Sequence, residues 1–380
     1  MRVVVFAVER WLNIARTPKT LHDVGFEVGV LTVPGTYLAA TCHADMRLLL
    51  PRVDGRRVLR ALDEVVGEWG AKLLIPGDSS TLAIVHEILR RDACGGPTHL
   101  QPATVSVLRR SMAPVEYLGA TTDKLAYAAL CADVGVRTPE WRKAYTMADL
   151  LTFADDYGYP VVVKADETTA GNGVRICDTE DDLANAGYAL LSQFTSHGRD
   201  VPTEPVLVQR FIDGASSAYS GVAWQGELLA GAAFVKVRSD PPKTGPPTVI
   251  EFVDAGESEE FVRRITQHTR YTGFAVHEYI VENGTGLSYM IECNPRPVSS
   301  HSSCIYAGVD LGAALYAAAT GAPRPRFFLK PNTVIAIYPQ EVIRDPESEF
   351  LKTAIQDMPE DDPGLQAAYE QFIARVKTKA

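Results

Sequence analysis

The chain has no CxxC pair: its six cysteines stand singly at positions 42, 94, 131, 177, 293 and 304. That scatter argues against a structural zinc site and a disulfide framework, and it fits a reducing, cytoplasmic setting. No apolar run approaches the roughly 20 residues that span a bilayer, and the apolar start of MRVVVFAVERW is far shorter than the core of a secretory leader. The expectation is a protein that is neither secreted nor membrane-embedded. Basic residues are in deficit, 37 Lys and Arg against 47 Asp and Glu, for a net charge of −10. Broad nucleic-acid binding is therefore not expected, and any anion must meet a local basic site. Neither a Ser–His–Asp nor a Cys–His spacing is evident, and there is no internal repeat.

With 380 residues, 46% of them hydrophobic and 22% charged, the chain can build two or three packed domains. The first third alternates short β-branched runs with helical stretches: RVVVFAV, Ala15 to Val24, EVGVLTV, Gly55 to Trp69, KLLIPG, then Thr81 to Arg91. That order marks parallel βαβ units. The loop VERWLNIAR lacks the glycines with which a backbone approaches a pyrophosphate, so a nicotinamide-dependent oxidoreductase is excluded.

A break at Ser111 to Gly119 leads into TTDKLAYAALCADVGV, a helix with Thr122 or Asp123 as its cap. A helix at Met147 to Tyr157, the strand PVVVKAD, the small-residue loop ETTAGNGV, the strand VRICD and a helix at Glu180 to Ser196 follow. From Val206 the strands lengthen and become antiparallel in character: PVLVQRFIDG, SAYSGVAW, ELLAGAAFVKVR and PTVIEFVDA. The Pro- and Gly-rich SDPPKTGPPT between two of them reads as a surface loop near the site. Helix Glu259 to Thr272, the hairpin FAVHEYIVENGTGLSYMIECNPRP, the strand NTVIAIYP and an amphipathic helix at Gly364 to Lys377 complete the chain.

The chemistry concentrates in that hairpin. Glu278 lies on one strand, and Glu292 and Asn294 lie two apart on the next, hence on one face. Two carboxylates and a neutral amide oxygen suit magnesium bound together with phosphate oxygens. Glu278 faces Glu292 if the connecting loop is odd in length, such as Gly284 to Gly286; an even turn puts Glu278 opposite Ile291. The alternative is an amphipathic hairpin with solvent-facing acids. Lys164 ends PVVVK just before a loop with Gly171 and Gly173, and such a lysine either reaches phosphate oxygens or snorkels at a strand end. No GK[ST] follows, so this is not a Walker loop. Lys236 and Arg238 share a strand face, directed either to an anion or to solvent. His277 and His301 read as structural or surface residues rather than ligands.

TDKLAYAALCADVGVRTPEW, PVVVKADETTAGNGV, VLVQRFIDG, AVHEYIV and MIECNPRP occur in the order and spacing of the ATP-grasp superfamily. Over roughly Thr121 to Thr320 the sequence resembles the branch with carbamoyl-phosphate synthetase, biotin carboxylase and amino-acid ligases. The resemblance implies a mixed α/β and α+β architecture. A Rossmann-like pre-ATP-grasp domain (1–115) precedes a small lobe (116–200) and a large lobe with the metal site and a C-terminal extension (201–380). It implies that Lys124 and Lys164 contact ATP phosphates under the glycine loop, and that Gln209, Arg210, Phe211 and Ile212 form the hinge strand holding adenine. Glu278, Glu292 and Asn294 match the magnesium ligands, with manganese as a substitute, and the family's 14-residue gap recurs as 278 to 292. Arg296 matches the arginine that stabilises the phosphorylated intermediate, and Lys236 and Arg238, from their shared strand face, are the further candidate catalytic cations.

Two departures stand out. Gln209 replaces the Glu that many members carry at the head of the hinge, and GASSA replaces the acid expected to hold the ribose hydroxyls, which leaves ribose recognition unassigned. The implied activity joins a small-molecule carboxylate to an amine through an acyl phosphate, on amino acids or related small metabolites, releasing ADP and phosphate; a homodimer is compatible with it. A bicarbonate-activating carboxylase has the same fold, but no biotin-carrier lysine flanked by Met is present. A non-catalytic nucleotide-binding regulator is disfavoured by the intact metal residues.

Overall fold

A computed structural model describes residues 1–165, 173–192 and 204–378. The β-branched runs near the start form four parallel strands, β1 (Arg2–Phe6), β2 (Glu27–Thr32), β3 (Met46–Leu49) and β4 (Leu73–Pro76), in the order β3-β2-β1-β4. Both faces are buried: Val3 and Val5 enter one apolar cluster, Val4 and Phe6 another. Such two-sided burial is why these strands read as unbroken apolar runs. β3 is not evident in the sequence, because at the sheet edge its residues are only alternately half-buried. The helical stretch at Gly55 to Trp69 is a helix only to Asp63 and then a π-helical turn over Glu64–Glu68.

A second sheet combines β5 (Trp141–Ala144), β6 (Val161–Lys164), β7 (Val174–Cys177) and β8 (Val206–Arg210), antiparallel in the order β5-β8-β6-β7. Helices Met147–Tyr157 and Glu180–Leu191 cover it. Each starts on a threonine, Thr146 or Thr179, whose hydroxyl accepts from an aspartate amide three residues on while that aspartate reaches back. Leu150, Phe153, Val161, Val163, Leu183 and Val208 belong to an apolar core of this unit's own. The first helix has the bounds its sequence predicts; the second was expected to reach Ser196, and residues 193–203 lie outside the described residues.

The third sheet contains β9 (Gly214–Trp224), β10 (Glu227–Ser239), β11 (Pro247–Val253), β12 (Gly273–Glu282), β13 (Ser288–Asn294), β14 (Val334–Ala336) and β15 (Ile355–Gln356). Their order is β13-β12-β9-β10-β11-β14-β15, antiparallel except at β14 and β15. Residues 211–213 carry the chain from β8 in the second sheet to β9 in the third. Val5, Val30 and Ile75 of the parallel sheet share one core with Val222, Phe234, Ile250 and Phe274 of the large one, so these two units are joined by packing.

The last helix, Pro363–Lys377, returns to the first sheet. Its cap Asp362 accepts from the amides of Leu365 and Cys42 and from the Thr41 hydroxyl, and Tyr369 donates to the Leu12 carbonyl at 2.7 Å. Among the described residues no helix is long and apolar enough to cross a membrane.

Candidate active site

The hairpin that carries the acids has a four-residue turn, Asn283 to Gly286, closed by the Glu282 amide on Leu287 O and the Gly286 amide on Glu282 O, both at 2.9 Å. Gly284 and Gly286 take positive φ there. The odd-length turn expected from the sequence is therefore corrected to an even one. From the turn the ladder runs Val281 to Ser288, Ile280 to Tyr289 and Tyr279 to Met290, which on its own sets Glu278 against Ile291. The register then shifts: Ile291 is skipped, and Glu278 pairs with Glu292, His277 with Cys293 and Val276 with Asn294. A β-bulge thus restores the pairing that the turn alone denies, a common device for re-aiming side chains beside a site. Asn294 follows on the same side, its Nδ2 3.5 Å from Glu292 Oε1.

Cations surround these acids. Lys236, two strands away on β10, places Nζ 2.5 Å from Glu278 Oε2. Arg238 does not join it, because register shifts on either side of Arg238 break the alternation that would have put both on one face. Instead Arg238 is exposed, with its guanidinium 5.1 Å from the centre of the Phe350 ring. Lys164 is 6% exposed at the end of β6. Burial pushes its ammonium down to about 8, with Lys124 acting in the same direction and Glu292 and Glu278 opposing. Lys124 is buried at the first turn of helix Lys124–Asp133, which Asp123 caps through the Ala126 amide. Arg296 is held between burial, which lowers its proton affinity, and the charges of Asp78, Glu9, Glu292 and Glu278, which raise it.

Glu278, Glu292, Asn294, Lys236, Lys164, Lys124 and Arg296 line one cleft of about 1780 Å³, and Arg238 does not. Its other wall is the crossing from β8 to β9, where Gln209, Arg210, Phe211 and Ile212 all face the cavity. Gln209 is 1% exposed, and its Nε2 has no hydrogen-bond partner among the described residues. A buried amide donor left open into a cavity is an unmet demand for an acceptor such as a ring nitrogen. Arg210 bridges the second and third sheets, with Nε 2.5 Å from Glu140 and Nη1 3.5 Å from Glu282, and lies over the Tyr289 ring. Gly173 accepts the Ala165 amide through its carbonyl at 3.0 Å; Gly171 lies outside the described residues.

His277 and His301 are structural. The first is bonded to the Tyr127 hydroxyl at 3.0 Å, and the second accepts the Val298 amide and meets Ala275 O. The N-terminal contribution is not visible in the sequence. Asp78 is fully buried and accepts from the amides of Val8 and Glu9 at 2.6 and 2.8 Å, which fixes the loop after β1 against the cleft. Burial would raise the Glu9 carboxyl, but donors from Ser80 and Trp11 and the charge of Arg296 hold it below its ordinary value. Residues of the last helix line the cleft at positions 368, 371, 372, 375 and 376. Their helical spacing is visible in the sequence, although which face meets a cavity is not.

The residues present suit a metal–nucleotide complex: hard oxygen donors paired across a hairpin, buried ammonium groups, and an open amide near the end of β8. The family described as "Carbamoyl-phosphate synthase L chain, ATP binding domain" matches residues 123–218, which hold Lys124, Lys164 and the crossing from β8 to β9. The arginine-specific mitochondrial large chain of carbamoyl phosphate synthase from Neurospora crassa is 24% identical over 226 residues, 57% of this chain and 18% of that protein. The chain thus spans about a fifth of that relative's length. Among solved structures, the biotin carboxylase domain of Hydrogenobacter thermophilus 2-oxoglutarate carboxylase, in complex with MgADP, ADP and bicarbonate, aligns with TM-score 0.63 at 18% identity. That alignment covers 87% of this chain and 73% of that one. An L-amino acid ligase from Bacillus licheniformis aligns with TM-score 0.59 at 16% identity, covering 88% and 78%. Residues 123–218 thus match this ATP-binding domain family, and the chain shares the ATP-grasp fold of these neighbours.

Proposed function

We propose that the protein is an ATP-dependent, magnesium-requiring ligase that activates a small-molecule carboxylate as an acyl phosphate and joins it to an amine, releasing ADP and phosphate. The observation that carries this reading is the meeting of Glu278, Glu292, Asn294, Lys124, Lys164, Arg296 and the open amide of Gln209 in one cleft. Glu278, Glu292 and Asn294 would hold the magnesium, which when bound neutralises phosphate charge. Lys124 and Lys164 orient phosphate oxygens, and Arg296 faces the charge that develops on the transferred group, since phosphoryl transfer needs mainly positioning and electrostatics. Lys236 orients the Glu278 carboxylate. Gln209 donates to the base, and Arg210, Phe211 and Ile212 wall it in.

The same reading divides the chain into a Rossmann-like domain (1–115) and two lobes (116–200 and 201–380). The separate core of the small sheet supports the lobe division, while the first and third units share a core.

The test is a screen of carboxylate and amine pairs for ADP release, with product mass spectrometry. Glu292→Ala should abolish substrate-dependent ADP formation without unfolding the chain; wild-type rates in that variant would remove the metal assignment. AMP release would indicate adenylation instead, and ADP release driven by bicarbonate without an amine would indicate a carboxylase.

A further inference from the structure

Three segments far apart in sequence bring two imidazoles and two carboxylates together, and none of these four groups lines the cleft. Helix Thr17–His22 ends on His22, with Asp23 as its cap. His43 lies in the turn just before β3, and Asp361 stands immediately ahead of Asp362, the cap of helix Pro363–Lys377. One donor atom each from His22, Asp23 and His43 lies within 4.8 Å of the other two, and the two imidazole ring centres are 5.8 Å apart. Tetrahedral zinc with bonds of about 2.0–2.2 Å separates its donors by roughly 3.5 Å, so modest rotations of the exposed His22 and Asp23 side chains would close the set.

Two further observations mark the cluster as a place for a cation. His43 Nε2 is buried with no hydrogen-bond partner among the described residues, and it lies 3.9 Å from Asp361 Oδ2. A buried ring nitrogen left in that state is destabilising until a partner reaches it. Lys19 Nζ sits 2.5 Å from Asp23 Oδ2 and 2.6 Å from Asp361 Oδ2, so one ammonium is shared by two carboxylates and negative charge is left over. Lys19, Asp23 and Asp361 also border a cavity of about 120 Å³, which has room for waters that complete a coordination shell.

We propose that His22, Asp23 and His43 form a Zn2+ site, with Asp361 as its fourth ligand once Lys19 withdraws, and that the ion pins the start of the last helix to the first unit. Imidazole nitrogens with carboxylate oxygens suit zinc, whereas Glu278, Glu292 and Asn294 offer only oxygens and suit magnesium, so each ion has its own place. Cys42, His43 and Asp362 also approach within 4.8 Å, but Asp362 already accepts from the Leu365 and Cys42 amides and the Thr41 hydroxyl. The lack of a CxxC pair has no bearing on a site built from histidine and aspartate.

The test is calorimetric titration of the EDTA-stripped full chain with ZnCl2 in excess MgCl2. Wild-type protein is compared with His22→Gln, His43→Gln, Lys19→Met and Cys42→Ser. Either histidine variant should weaken zinc binding by about tenfold or more, and Lys19→Met should tighten it by about threefold or more, because a competing cation is gone. His22 is exposed, so its variant judges the site even where His43→Gln perturbs the fold. Zinc should also slow hydrogen exchange over Pro363–Lys377 in the wild type. No zinc binding, zinc that excess magnesium displaces, affinity unchanged in His22→Gln or Lys19→Met, or a loss in Cys42→Ser with none in His22→Gln overturns the site. Zinc that binds as expected yet leaves that exchange unchanged overturns the pinning of the helix.

Discussion

Lys236 Nζ lies 2.5 Å from Glu278 Oε2, so a side chain two strands away already neutralises the acid that faces Glu292 across the hairpin. Two carboxylates directly opposite on neighbouring strands repel one another, and the lysine offsets that repulsion. Lys236→Met should cost about 3 kcal/mol in the metal-free protein, because the partner charge stays behind in a largely buried place. Saturating MgCl2 with AMP-PNP supplies the missing positive charge. The gap in melting temperature between variant and wild type should therefore narrow on their addition; a gap that does not move would separate Lys236 from the metal site.

Gln209 gives a prediction of opposite sign for the empty and the filled cleft. Its Nε2 is buried with no partner among the described residues, and an unsatisfied buried donor destabilises by about 1–3 kcal/mol. Gln209→Leu should raise the melting temperature of the nucleotide-free protein and weaken AMP-PNP binding by about tenfold. Calorimetry of both states checks the pair of signs together.

Burial holds His86 and His301 neutral, down to about 4 from 6.5. Below about 6.5 the unfolded chain takes up protons that the folded chain refuses, so stability falls as pH falls from 6.5 to 4, and above 6.5 these groups contribute no slope. At pH 5 each histidine should cost about 2 kcal/mol relative to pH 7.5. Urea unfolding of His86→Gln at the two pH values should show the variant regaining about that much against wild type at pH 5. Parallel curves would mean that His86 titrates normally in the fold.

Asp362 serves three donors at once: the Leu365 amide at the start of the last helix, the Cys42 amide, and the Thr41 hydroxyl. Asp362→Ala should cost about 2–3 kcal/mol and release the helix from the first sheet. Hydrogen exchange should accelerate over Pro363–Lys377 well before it does so in β9 or β12.

The acids of the hairpin are legible in the sequence because period-two spacing places Glu292 and Asn294 on one face, whatever the turn does. Helix Met147–Tyr157 is legible because Thr146 caps it and Gly158 stops it with positive φ. Ile291 is different. Whether a hairpin absorbs an extra residue in its turn or in its ladder depends on the strands flanking it, here β9 on the other side of β12, and no local pattern records that choice. Arg238 misleads for the same reason, since alternation on a strand holds only until a bulge interrupts it. The loop after β1 and the last helix reach the cleft through tertiary contacts such as Tyr369 on Leu12, across 357 residues of chain, which a linear reading does not connect.

The position of Arg210 gives the cleft a dependence on its solvent. Its guanidinium bridges Glu140, beside the small sheet, and Glu282, at the end of β12, across the short crossing 211–213. These charges are only partly covered, so dissolved ions compete with them, and their mutual attraction fades as the Debye length shrinks from about 8 Å at physiological ionic strength. The bridge that Arg210 makes between the small sheet and the large one should therefore be firmer in dilute buffer than in concentrated salt.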